Sequence, residues 1–366
     1  VTRRLLYLSG LAILAVILFH AAGIGFVAMF AWSHRYAPAT ADPGGSASYW
    51  ALRGMEQVSV FSIPAFMFVS GYFTAFATGR SRHTLGWDAV GARIKYLLIP
   101  YTVWTLALFA FAFIQGRRPG LDGYLVMYLT GGASPAYYYV PLLIQLYLLA
   151  PFLIPVARNR PLLLLVVTGL IQIAVQLTYY PALLGATDPA LLTLAGAIPK
   201  WLFITRIFWF CAGMTAGFHL SGFKSLLSRY KWVLASGALL LIPLGMIEWE
   251  ILAAQHWPEW LAHHETFLDT LYSIGVIGSV LAFSDARLPL PGFMEDLGGK
   301  TYGIYLIHLP VMESTARAVY HFAPALLGYQ LVLQPLVIAV GLAVPLGLMA
   351  LVSRSPASRY YRYLFG

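Results

Sequence analysis

The chain has 366 residues, 60% hydrophobic and only 10% charged, with a mean hydropathy of +0.74 and a formal net charge of +9. So much apolar surface excludes a soluble domain and points to a polytopic helical membrane protein, all-α and one domain over residues 1–366. The positive balance does not indicate nucleic acid, because the basic residues are scattered at the ends of apolar runs, and a single cysteine, Cys211, excludes an internal disulfide.

Ten spans are expected, at about 5–32, 58–78, 96–115, 140–156, 162–184, 201–220, 232–251, 267–283, 301–322 and 326–351. The first has no convincing small-residue cleavage site and reads as a retained span, not a signal peptide. If the N-terminus is cytoplasmic and sides alternate, the inner Lys and Arg are Arg3, Arg4, Arg80, Arg82, Arg93, Lys95, Arg158, Arg160, Lys224, Arg229, Lys231, Arg287, Lys300, Arg354, Arg359 and Arg362. These are 16 of 23, against four inner acids of 14: Asp88, Asp285, Glu295 and Asp296. The positive-inside rule then places both termini in the cytoplasm, and an odd number of spans would break the alternation.

The outer connections are richer. Residues 33–57 carry Arg35, Asp42, Arg53 and Glu56, and 116–139 end in GGASPAYYY, whose tyrosines suit an interfacial belt. Residues 185–200 follow, then 252–266, with His256, Glu259, His263, His264 and Glu265. Those five fit no familiar metal spacing, so no metal is expected. Pro64, Pro243 and Pro345 predict kinks inside spans.

His20 stands alone in the first apolar run, about 24 Å along the axis from Arg4. An ionisable group in a span usually faces a bundle interior or a wet cavity. Arg206 lies about 9 Å in from Lys200, Asp269 about 6 Å in from Glu265, and Glu313 about 20 Å up from Lys300, all near the level of His20. Gln145 lies five residues into the fourth span. An imidazole, two carboxylates and a guanidinium at one depth suit general acid–base chemistry. The plainer alternatives are surface pairs, such as Glu313 with Arg317 at i,i+4, and a histidine bonded to a neighbouring carbonyl.

A second group is expected lower: Ser70, Gly71 and Tyr72 in the second span, with Tyr302, Tyr305 and His308 in the ninth. His308 is about 12 Å up from Lys300, so it is expected some 12 Å below His20 and out of contact with it. Gly71 alternatively marks a close helix contact, and His308 a packing hydrogen bond. Arg93 and Lys95, at a cytoplasmic span end, suit either phosphates or simple anchoring.

Four stretches in order resemble the acyltransferase 3 family of integral membrane acyltransferases. They are YLSGLAILAVILFH (7–20), FSIPAFMFVSGY (61–72), ARIKYLLIPYTVW (92–104) with YVPLLIQLYLLAP (139–151), and LGGKTYGIYLIHLP (297–310). FWFCAGMTAG (208–217) is a weaker fifth. The resemblance implies a ten-span core and transfer of an acyl group, often acetyl, from cytoplasmic acetyl-CoA or another acyl-CoA to a hydroxyl of an extracytoplasmic glycan or related acceptor. It implies that His20 is the general base, that Arg93 and Lys95 hold the cofactor's cytoplasmic end, and that Tyr305 and His308 are the ninth-span signature. Two positions depart from the pattern. Ser9 replaces the basic residue eleven positions before the histidine, and Leu143 and Ile144 stand where many members carry a fourth-span glutamate.

The expected enzyme is an O-acyltransferase of a bacterial-type inner membrane, with membrane lipid around it. The pantetheine arm would rise past Ser70, Tyr305 and His308. Glu313 or Asp269 would orient His20, Arg206 would stabilise the oxyanion or hold the acceptor, and Gln145 and Arg53 would meet the acceptor. The rival readings are a glycan or lipid transporter or flippase, which should show pseudo-repeats that this sequence lacks, and a catalytically inactive ligand-binding relative.

Overall fold

The computed structural model describes residues 2–37, 44–79, 83–256, 261–283 and 288–366. Of the charges discussed above, Asp42, Arg80, Arg82, Glu259, Asp285 and Arg287 lie outside the described residues. All regular structure among those described is helical. The α-helices are α1 (Thr2–Met29), α2 (Ala47–Ser59), α3 (Ser62–Thr78), α4 (Trp87–Ile114), α5 (Leu121–Thr130), α6 (Tyr139–Asn159), α7 (Pro161–Leu183), α8 (Pro189–Gly196), α9 (Ile207–Phe218), α10 (Leu220–Ala253), α11 (Phe267–Ala282), α12 (Pro291–Phe322), α13 (Gln330–Ser353) and α14 (Tyr361–Phe365). Seven stretches are long and apolar enough to cross a membrane: α1, α2 with α3, α4, α6, α7, α10 with the turn after it, and α13. The apolar helices α9 and α11 are shorter.

Several expected boundaries move, each for a local reason. The connection 33–57 contains α2, which Ser46 caps by accepting from the Tyr49 N–H at 3.1 Å. Pro64 does not kink a span. It sits in the first turn of α3, just after the break that separates α3 from α2, where its missing N–H costs nothing. The run 201–220 shortens to α9 because residues 200–206 fold into a turn. Gln145 of α6 holds that turn, donating to the Trp201 carbonyl at 2.8 Å and accepting from the Phe203 N–H at 3.2 Å. Non-helical backbone is tolerated at such a depth only when its polar groups are met in this way.

Small residues set the closest helix crossings, as is usual where lipid supplies no hydrophobic drive. A Cβ added at Gly71 would stand 1.9 Å from the Phe210 carbonyl oxygen, and one at Gly213 would stand 1.8 Å from that of Phe68, so α3 and α9 touch backbone to backbone. The same holds for α1 and α12, where Gly10 faces the Met294 carbonyl and Gly298 faces that of Leu6. About three turns further along both helices His20 meets His308, and twelve residues beyond them Trp32 meets Tyr320. The two helices therefore run parallel with one constant offset.

The tyrosines of 137–139 do not form an interfacial belt. Gly131, at φ +77°, turns the chain back into the bundle, and Tyr137 and Tyr139 are buried. The Tyr137 hydroxyl donates to the Leu306 carbonyl at 2.6 Å, and the Tyr305 hydroxyl donates to the Ala136 carbonyl. These bonds pin the 131–138 turn onto α12.

Candidate active site

A cavity of about 320 Å³ opens among α1, the α2–α3 break, the 131–138 turn, α7, the 200–206 turn and the segment that leads into α11. His20 and Phe19 of α1, Glu56, Tyr138, Tyr179, Lys200, Arg206, His263, His264, Glu265 and Tyr305 stand in its wall. His20 makes no protein hydrogen bond among the described residues, and its ring packs on that of His308 with centroids 5.3 Å apart. His308 is fully buried. Its Nδ1 lies 2.8 Å from the Tyr305 carbonyl and 3.2 Å from that of Ile304. Carbonyls only accept, so Nδ1 carries the proton and Nε2 is left as an acceptor, buried and without a partner.

The separation expected between the two histidines was wrong, and the helix register gives the reason. That separation requires Lys300 to lie at the level of Arg4. The offset between α1 and α12 instead puts Lys300 beside Ala12, eight residues or about 12 Å further along α1, which is the whole error. Lys300 bends back one turn to Asp296 at 2.7 Å, a cation that reaches toward the surface from a deeper Cα.

The outer wall is a network. Arg206 pairs with Glu265 at 2.7 Å and donates to the Thr205 carbonyl at 2.8 Å. His263 Nε2 donates to Asp269 Oδ2 at 2.9 Å; the same oxygen accepts from the Thr266 N–H, and Oδ1 accepts from Gln57 Nε2 at 2.9 Å. The Thr266 hydroxyl in turn accepts from the Asp269 N–H, which makes a capping box at the start of α11. Burial works against a charged His263, but the Asp269 carboxylate, with Glu56 behind it, raises its pKa above the ordinary value. Its neighbour goes the other way: burial, then the Lys200 charge, lowers His264 to about 4. Burial also pushes the Glu265 carboxyl up, against the pull of Arg206.

A family-wide profile described as an acyltransferase domain matches residues 5–354. The chain belongs to the acyltransferase 3 family. No curated protein and no solved structure matches it. It is therefore a membrane acyltransferase, and family membership implies an acyl-CoA-dependent reaction.

Of the residues singled out in this acyltransferase 3 sequence, the fold gathers His20, Arg206 and Tyr305 at the cavity, with His308 directly behind His20. Others have different partners. Neither Asp269 nor Glu313 bonds to His20, since the oxygens of Asp269 are taken by His263, Thr266 and Gln57, and Glu313 stands outside the cavity wall. Glu313 and Arg317 also do not close to ion-pair distance among the described residues. Arg53 is buried away from the cavity, between Glu56 at 2.8 Å and Glu250 at 2.9 Å, over the Phe26 ring. Gln145 serves the 200–206 turn, and Ser70 interacts with the Tyr139 hydroxyl. Arg93 donates to the Phe73 carbonyl at 3.0 Å, and Lys95 is exposed. His256 bonds the Leu183 carbonyl at 3.2 Å, away from His263.

Sequence reasoning missed Glu56, Tyr138, Tyr179 and Lys200 as cavity residues, and it weighed His263, His264 and Glu265 only as metal ligands. One signal was present. The TFLD run at 266–269 has the spacing of a capping box, which assigns Asp269 to its own helix end.

Proposed function

We propose that this acyltransferase moves an acyl group, acetyl as the expected case, from acyl-CoA on the cytoplasmic side to a hydroxyl of an extracytoplasmic glycan or related acceptor. The observation that carries the reading is His20, an imidazole in the cavity wall with no protein hydrogen bond among the described residues, backed by a second imidazole. His20 takes the hydroxyl proton as the oxygen bonds to the thioester carbonyl carbon. Arg206 steadies the oxyanion or holds the acceptor. The carbon–sulfur bond then breaks, and the departing thiolate takes the proton back from His20.

The pantetheine arm passes Ser70, Tyr305 and His308, with Arg93 and Lys95 near the cofactor's phosphates. The enzyme is one ten-span domain of a bacterial-type inner membrane, with both ends cytoplasmic. Labelling of a Ser46→Cys variant tests that orientation, and reaction from the cytoplasmic side sinks it. The catalytic reading is tested by transfer from labelled acyl-CoA, using purified parent and His20→Ala normalised to folded protein. Loss of transfer with melting unchanged is expected, and equal turnover removes His20 from the mechanism.

A further inference from the structure

Charge around the cavity is unevenly matched. Each carboxylate has its own donor: Glu56 has Arg53, Glu265 has Arg206, and Asp269 has His263, Thr266 and Gln57. On the donor side three groups are left over. The Lys200 ammonium stands in the wall and makes no ion pair or hydrogen bond among the described residues. Arg206 Nε is buried with no partner. His263, its side chain only 4% exposed, keeps Nε2 on Asp269 and leaves Nδ1 buried and unpartnered.

A buried donor without an acceptor is costly, and two of these, Arg206 Nε and His263 Nδ1, are buried, while Lys200 is exposed at the rim; together they ask for oxygen atoms from a ligand. The walls otherwise include Tyr138 and Tyr179, in keeping with a small-molecule site of aromatic sides and few convergent polar groups. We propose that the cavity is built for an anionic acceptor, a hydroxyl compound that also carries a carboxylate or a phosphate, with its anionic oxygens on Lys200 and with Arg206 and His263 as the neighbouring donors. The inference rests on the cavity being the acceptor site.

A neutral sugar gives the Lys200 ammonium no counter-charge. An anionic group answers it, and in a cavity of low dielectric that contact is stronger than in water. Arg206 and His263, each held by its own carboxylate, also set the position of the acceptor, because an anchored acid group limits which hydroxyl reaches His20.

The test is calorimetric titration of the full chain in discs of neutral lipid, with four probes: glucuronate, glucose 6-phosphate, short-chain phosphatidylglycerol and glucose. At least one anionic probe should bind about tenfold or more tightly than glucose, and which one does so separates a sugar acid from a sugar phosphate and from a lipid headgroup. Lys200→Met should remove about tenfold of that affinity, equivalent to about 1.4 kcal/mol, and Lys200→Arg should keep it. Equal or absent binding of all four probes, unchanged binding by Lys200→Met, or displacement of the bound anion by CoA would each overturn the proposal. Binding is read without turnover, so the two ideas fail separately. Anion binding without acyl transfer defeats the reaction, and transfer without anion preference defeats the subsite.

Discussion

His20 and His263 stand in the same cavity wall, each against the ring of Phe19 with centroids 5.8 Å and 6.0 Å from it, and they are held in opposite ways. His263 is tied to a fully buried carboxylate and packs at 4.4 Å on Trp249. Among the described residues His20 has no carboxylate and no protein hydrogen bond, and the rings of His308 and Phe19 pack on it. The difference separates two uses of one side chain. An imidazole tied to a buried carboxylate contributes to holding the fold, because removing its partner strands buried groups. One with no such tie contributes little to the fold and has both ring nitrogens to offer a ligand.

The largest expected effect breaks the comparison at His20. His20→Ala should lower acyl transfer by roughly 10²- to 10⁴-fold, about 3–5 kcal/mol, and leave the unfolding midpoint in place. Asp269→Ala should do the reverse. It leaves three donors around a missing acceptor and should lower stability by roughly 3–5 kcal/mol in denaturant unfolding. A stable Asp269→Ala beside an unstable His20→Ala would invert the assignment of roles.

Acidity sharpens the contrast between adjacent residues. With His264 held at about 4, the unfolded chain binds more protons there than the folded one, so its stabilising share is present above about pH 6.5 and is lost as pH falls toward 4. The slope is at most about 1.4 kcal/mol per pH unit. For His263 the sign reverses: its share is full below about pH 6.5 and is lost as pH rises through the raised pKa. Unfolding midpoints between pH 4 and 8 should flatten on the acid side in His264→Gln and on the alkaline side in His263→Gln. The titrating neighbours Glu56, Lys200 and Glu265 are common to both variants, so matching curves would remove the distinction.

The smallest effect is expected far from both histidines. Arg93→Ala with Lys95→Ala should raise the KM for acyl-CoA by about tenfold or less and leave kcat intact. An unchanged KM would make the pair anchors, a role Arg93 already has through the Phe73 carbonyl.

The apolar runs, His20 and Tyr305 were legible because span length and a lone polar residue are local signals. The segments that complete the wall were not. Residues 131–138, 200–206 and 262–265 are placed by partners far away in sequence, such as Leu306 for Tyr137 and Gln145 for Trp201. Charge pairing across such distances, as between Arg206 and Glu265, leaves no periodicity to read. Residue counting failed for His308 because it measures rise along one helix, and only the contact of Gly298 with Leu6 says where that helix stands against another.

That contact also bears on assembly. α1 leaves the ribosome well before the helix that lies against it at Gly10 and backs its histidine. At about 5–20 residues per second, α1 waits on the order of 15–60 s for α12. In that interval its glycine face has no partner and its imidazole no cavity. The pair of histidines therefore comes together only once α12 has been made, so a chain that stops short of α12 cannot assemble it.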